Sequence, residues 1–138
     1  MASDWIMLIL PKVFTNIKTE FSQTIKDTYK MTDKSFSTVG SSGTPAVFPF
    51  VFVQLLPATE QGQDIEGTSI NGGMFTFQVD IIDNQSQSNA RKSMTEIVRI
   101  MKTMGFNVNS MPSFQNTTDN THRMTARFMR LIGESDTL

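Results

Sequence analysis

One stretch of 35 residues, Gly72–Phe106, limits what this chain can fold into. Phe75, Phe77, Val79 and Ile81 alternate with Thr76, Gln78 and Asp80. That period of two is what a strand with one face on a core requires. Asp83, Asn84, Gln85 and Ser86 break it with turn and cap residues. Ala90, Met94, Ile97, Val98, Met101 and Met104 then recur at spacings of three and four, which places them on one helix face. Gly105 stands where a helix C-cap glycine belongs, and Phe106 restarts an apolar strand. A β-α-β unit is therefore the centre around which the remaining segments pack.

A chain of 138 residues suits one domain and buries about two thirds of its unfolded surface, so it needs no disulfide or metal to fold. It has no cysteine, which removes disulfide frameworks, thiolate zinc sites and cysteine nucleophiles. Twelve basic and 13 acidic side chains leave a net charge of −1, whereas a free-standing nucleic-acid binder carries a clear positive excess. The apolar run Trp5–Leu10 lacks a basic flank before it and is followed by Pro11 and Lys12. It is too short for a membrane span and poor as a signal peptide, so a soluble chain is expected.

In chain order, Leu10, Phe14, Ile17, Phe21 and Ile25 predict one amphipathic helix that starts near Ser3 or Asp4, bends at Pro11 and ends near Tyr29. Residues 31–46 read as a long connection with an edge strand around Ser35–Val39. The apolar run Ala46–Leu56 suits a strand covered on both faces, with Pro49 limiting regular pairing to Phe50 onward. Residues 57–73 form a polar excursion with Glu60, Asp64 and Glu66, no basic residue, and Ile65 and Ile70 as the larger apolar side chains. An arm is expected there, because a loop of this length in a compact domain is usually functional or disordered. Phe106–Phe114 and Thr121–Ile132 read as a hairpin added to the sheet, with Met124, Ala126 and Phe128 on one face. Residues 133–138 are expected to fray.

The fold expected is of the α/β (α+β) class. It has a single mixed or antiparallel sheet of about four to five strands, packed by the N-terminal helix and a second helix.

No residue set announces a reaction. His122 is the sole histidine, and Asp119 three residues earlier does not make a triad with it; no serine lies in a G-x-S-x-G context. One histidine and scattered acids give no metal-ligand spacing. Gly62, Gly67, Gly72 and Gly73 precede a strand and match no phosphate-binding loop. The ten methionines read as core filling, since Met94, Met101 and Met104 fall on the apolar helix face. No catalytic, cofactor-binding or metal residue is assigned. Arg123 and Arg127 share a strand face, and Arg130 falls on the other. They suit either a phosphate-facing stripe or the exposed side of an outer strand. Arg91, Lys92, Arg99 and Lys102 read as a solvated helix face that partly answers the C-terminal dipole.

The order of elements resembles the tail terminator (tail completion, or minor capsid) proteins of long-tailed bacteriophages. The features that carry the likeness start with an N-terminal amphipathic helix and the Pro45–Leu55 strand with Phe48, Pro49, Phe50 and Val51. An acidic glycine-containing arm, a strand ending Val79, Asp80, Ile81, and a helix with Ala90 and Ile97 follow. Met104, Gly105 and Phe106 at the helix end and a last strand with Arg123, Arg127 and Arg130 complete the series, which spans about Leu10 to Ile132.

The resemblance implies one tail-terminator-like domain over residues 1–138 that assembles as a hexameric ring and is no enzyme. Such a ring caps the tail tube, stops its polymerisation and joins the tail to the head connector. Its partners would be other copies of the chain, the major tail tube protein and the head-completion protein. DNA would pass only through the lumen, and no membrane or cofactor is involved. The protein would be made in the host cytoplasm and reside at the head-proximal end of the virion tail. Contact with partners falls to Glu60, Asp64, Ile65 and Glu66 of the arm and to Arg123, Arg127 and Arg130. The alternatives are a ferredoxin-like small-molecule or regulatory binding domain, which shares the β-α-β order, and a related head-tail joining protein.

Overall fold

A computed structural model describes residues 4–38, 49–57, 59–61, 72–115, 121–133, 136 and 138. The chain is of the α+β class, built on a single mixed sheet. The helices are α1 (Ile9–Glu20), α2 (Gln23–Tyr29) and α3 (Gln87–Thr103). The strands are β1 (Phe36–Ser37), β2 (Phe50–Leu55), β3 (Thr59–Gln61), β4 (Gly72–Asp83), β5 (Asn107–Gln115) and β6 (His122–Gly133). Their order across the sheet is β1-β2-β4-β6-β5, and β3 pairs with β4 beyond the end of β2.

The β4-α3-β5 unit forms as the alternation and helix periodicity dictate, with one difference. β5 does not lie next to β4. β6 is antiparallel to both and sits between them, so the two strands of the unit are parallel but separated. The β5–β6 hairpin thus closes the sheet by inserting its second strand. Twelve paired positions join β4 to β6, from Gly72↔Gly133 to Asp83↔His122. β5 pairs less regularly, with register shifts between Val108 and Ser113, which matches its loose alternation and includes Pro112.

All the core-forming positions of β4 point one way. Phe75, Phe77, Val79 and Ile81 are buried with Ala90, Met94, Ile97, Ile100 and Met101 of α3 and with Val13 and Ile17 of α1. Phe77 meets Phe106 edge to face, with ring centroids 5.5 Å apart. α1 and α3 therefore cover the same sheet face. Trp5 is held against Phe75 by a similar contact at 6.1 Å, which explains part of the apolar N-terminal run.

α3 starts and ends as its sequence directs. Ser86 is the N-cap, and its Oγ accepts from the Asn89 N–H at 3.1 Å. At the other end Gly105 adopts φ +84°, and the Phe106 N–H donates to the Met101 carbonyl at 3.0 Å while the Gly105 N–H donates to Lys102. That pair of bonds is a Schellman motif, completed by burial of both Met101 and Phe106.

The N-terminal helix departs from expectation. Asp4–Leu8 is a 3₁₀ turn, and the α-helix proper begins at Ile9, so Pro11 sits within its first turn, where its missing N–H costs nothing. The helix also divides. Phe21 turns to an extended conformation (ψ 134°), and its ring packs on Phe36 at 5.4 Å, so α2 is a separate short helix. A buried aromatic contact with β1 overrides the continuous periodicity that joined the two. β1 is the expected edge strand, parallel to β2. Within β2, Val51 and Val53 are fully buried while Gln54 is exposed, so its two faces are not equally covered.

Of the stretch 57–73 where an arm is expected, the structure describes residues 57, 59–61, 72 and 73. Thr59–Gln61 belongs to the main sheet, with Gln61 opposite Gly72. Pairing with β4 passes from Leu55↔Phe77 at the end of β2 to Thr59↔Met74 at the start of β3. Residues 62–71 lie outside the described part. In the tail, the Gly133 N–H donates to the Asp136 carboxylate at 2.8 Å, and Asp136 lies 3.8 Å from Arg130. Among the described residues no helix is long and apolar enough to cross a membrane.

Candidate functional site

The second face of the sheet carries none of the described helices. β4 presents Met74, Thr76, Gln78, Asp80 and Ile82 there, since its odd positions face α1 and α3. Register then assigns the neighbours. Phe52, Asp80 and Thr125 form one row across the sheet; Gln54, Gln78 and Arg127 form the next. Phe50, Ile82 and Arg123 lie beyond the first row, and Thr76 with Met129 and Met74 with Leu131 lie beyond the second. The face is apolar at its two ends and polar in the middle.

The polar middle is an ordered network. Asp80 is only 1% exposed, although it lies on the open face. Its Oδ2 accepts from Arg123 Nη2 at 2.7 Å and its Oδ1 accepts from the Thr125 hydroxyl at 2.7 Å, with Gln78 Nε2 at 3.5 Å. Arg127 Nε donates to Gln78 Oε1 at 3.0 Å. A buried carboxylate is stable only when it is paired and hydrogen-bonded, and Asp80 is both. Arg123 stays 40% exposed, so one side of its guanidinium neutralises Asp80 while the rest faces outward.

Arg130 does something different. It lies on the helix-covered face, where its Nη1 donates to the Met104 carbonyl at 2.6 Å. A cation at a helix C-terminus is favourable both as a donor and against the dipole. The structure therefore brings Arg123 and Arg127 together and sends Arg130 to the end of α3. Arg99 plays a matching part for α1: its Nη2 donates to the Glu20 carbonyl at 2.9 Å. Its pairing with Glu96, mainly a side-chain hydrogen bond, raises the guanidinium above its ordinary value.

Of the arm residues, Glu60 lies in β3 with its backbone opposite Gly73. Asp64, Ile65 and Glu66 lie outside the described residues. His122 begins β6 opposite Asp83, whose Oδ2 accepts from the Gln85 and Ser86 N–H groups at the start of α3. Among the described residues no group of three or more histidine, aspartate or glutamate side chains is placed to hold a metal.

The sequence assigns no site role to Asp80, Thr125 or Gln78, although Asp80 stands among the positions that carry the resemblance. The alternation marks them as outward-facing, but the pairing register that makes them neighbours of Arg123 and Arg127 is not a local property.

No protein-family model matches the chain, and no curated protein matches it either.

Proposed function

We propose that this chain is a structural subunit of a bacteriophage tail, a tail terminator that forms a ring on the tube and joins it to the head. The reading rests on the resemblance in element order. The observation that carries it furthest is the sheet's helix-free face, where a network of named polar residues is flanked by Phe52 and Ile82 on one side and by Met74, Met129 and Leu131 on the other. Leu131 alone is 54% exposed. A face of this composition suits protein contact, with apolar area to bury and fixed charges to set register. A contact of this kind closes into a ring when its rotation closes. The reading assigns no turnover to the chain and places it at the head-proximal end of the tail.

Mass measurement of the purified protein, alone and with tail tube protein, tests this. Six copies per tail end are expected, together with arrest of tube growth in an assembly mixture. A single copy per tail, or tubes that grow unchecked when the protein is present, would overturn the reading.

A second reading, a ferredoxin-like binding domain, is favoured by one observation. A cavity of about 460 Å³ lies between α1 and the C-terminus, lined by Leu8, Pro11, Lys12, Thr15, Asn16, Asp136 and Leu138. A small ligand that raises the melting temperature of wild type, and not of a Thr15→Trp variant, would favour it over the tail reading.

A further inference from the structure

We infer that the outward face of α3 is a docking surface for the phosphate backbone of a nucleic-acid duplex, bound without regard to base sequence. The inference stands apart from the tail reading and needs no ring.

The net charge of −1 conceals an uneven distribution. Between Asp83 and Asp119 the chain holds four of its 12 cations, Arg91, Lys92, Arg99 and Lys102, and one of its 13 acids, Glu96. All four cations lie on α3 and all are exposed. Helix geometry places them within an arc of about 100°, and Arg91 to Lys102 spans about 16 Å of the axis. Glu96 does not neutralise this face. It is buried and turned to Arg99, which itself stays 51% exposed. Lys92 and Lys102 have no carboxylate partner among the described residues. The helix dipole accounts for Lys102 in the last turn. It does not account for Arg91 and Lys92, which stand in the N-terminal half, where a cation gains nothing from it.

The two arginines are held in place. Arg91 lies over the Phe114 ring at 5.1 Å, and its Nη2 donates to Gln87 Oε1 at 3.3 Å. Arg99 is fixed by Glu96 and by the Glu20 carbonyl. Guanidiniums already ordered lose little freedom when an anion docks on them.

The face selects its partner by what it lacks. The other exposed positions of α3 are Gln87, Ser88, Thr95 and Thr103, so no exposed apolar side chain of the helix lies among the cations. A protein interface has an apolar core, and a helix lying on a membrane surface buries an apolar face. Arg, Lys, Ser, Thr and Gln are instead the side chains that contact phosphate and sugar. The Phe114 ring beside the face is covered by Arg91, which leaves the bases of a single strand no platform there to stack on. What fits is the regular row of phosphates that every duplex presents alike.

The test is binding of the whole chain to a DNA duplex of about 20 base pairs and arbitrary sequence, read by fluorescence anisotropy from about 50 to 200 mM salt. Four phosphate contacts predict that log K falls with log salt at a slope of about −3 to −4. Lys92→Glu with Lys102→Glu should weaken binding at least about tenfold, and the neutral pair Lys92→Gln with Lys102→Gln should reduce the slope by about two. Lys30→Glu with Lys34→Glu makes the same change in net charge at exposed lysines elsewhere and should weaken binding less than about twofold. Circular dichroism checks that each variant keeps its helices. No binding of wild type at the lowest salt would overturn the proposal, as would equal losses in the two Glu pairs, since net charge alone would then be sensed. Tighter binding of a single strand of the same length would overturn the assignment to a duplex. Loss of ring assembly with unchanged duplex binding in the Lys92 and Lys102 variants would give the face to a protein partner and overturn the proposal. The tail reading stands or falls on copy number and tube arrest, which this assay does not measure.

Discussion

The Arg130 guanidinium donates to the Met104 carbonyl across 2.6 Å, so the last strand of the sheet caps the helix that precedes it by one hairpin. The helix end otherwise closes on itself through Gly105 and Phe106. Arg130→Met keeps the apolar stem and removes the cap; it should cost about 1–2 kcal/mol in urea unfolding. Gly105→Ala should cost a similar amount, about 1–2 kcal/mol, because φ of +84° is unfavourable for a residue with a Cβ. The added carbon itself would meet Arg130 only at ordinary contact distance, 3.4 Å, so the backbone is the dominant cause. If Gly105→Ala is neutral, the left-handed turn is not needed.

Removing Arg123 should be worse than removing the whole pair. Arg123→Ala leaves the Asp80 carboxylate buried with Thr125 and Gln78 as its remaining donors, and about 2–3 kcal/mol should be lost. Asp80→Val with Arg123→Leu removes both charges and should fall within about 1 kcal/mol of wild type. Equal losses in the two variants would mean that the network acts through packing alone.

Ser93 is fully buried on α3, and its Oγ has no hydrogen-bond partner among the described residues. Ser93→Ala should stabilise the fold by about 0.5–1 kcal/mol, from better helix propensity and relief of a desolvated hydroxyl. Thermal unfolding reads this directly, and a lower midpoint would show that the hydroxyl has an occupation the described residues do not supply.

Phe77 and Phe106 join the first strand of the central unit to the end of its helix. Phe77→Ala should cost about 3–5 kcal/mol, the usual loss for a fully buried aromatic. A double-mutant cycle with Phe106→Leu should give a coupling of about 0.5–1.5 kcal/mol for the edge-to-face contact. Additive losses would show that the two rings contribute area only.

The sequence by itself determined the local units. Alternation in Phe75–Ile81 defines which side of β4 is core, and the spacing from Ala90 to Met104 defines the buried side of α3, with only Val98 at its margin. Ser86 and Gly105 place the ends of that helix, because capping depends on residues within one turn. Met124, Ala126 and Phe128 mark the core side of β6 in the same way. Tertiary structure decided the rest. Phe21 leaves the helix to pack on Phe36, a partner fifteen residues away that periodicity does not report. Nothing in the β4-α3-β5 stretch says that β6 will slip between its two strands, and that insertion is what places Arg123 and Arg127 beside Asp80 and Gln78. Side-chain period and caps are set by neighbours along the chain. Strand order and cross-strand partners are set by which long-range burial the whole sequence favours, so the polar network of the open face exists only once the sheet has assembled.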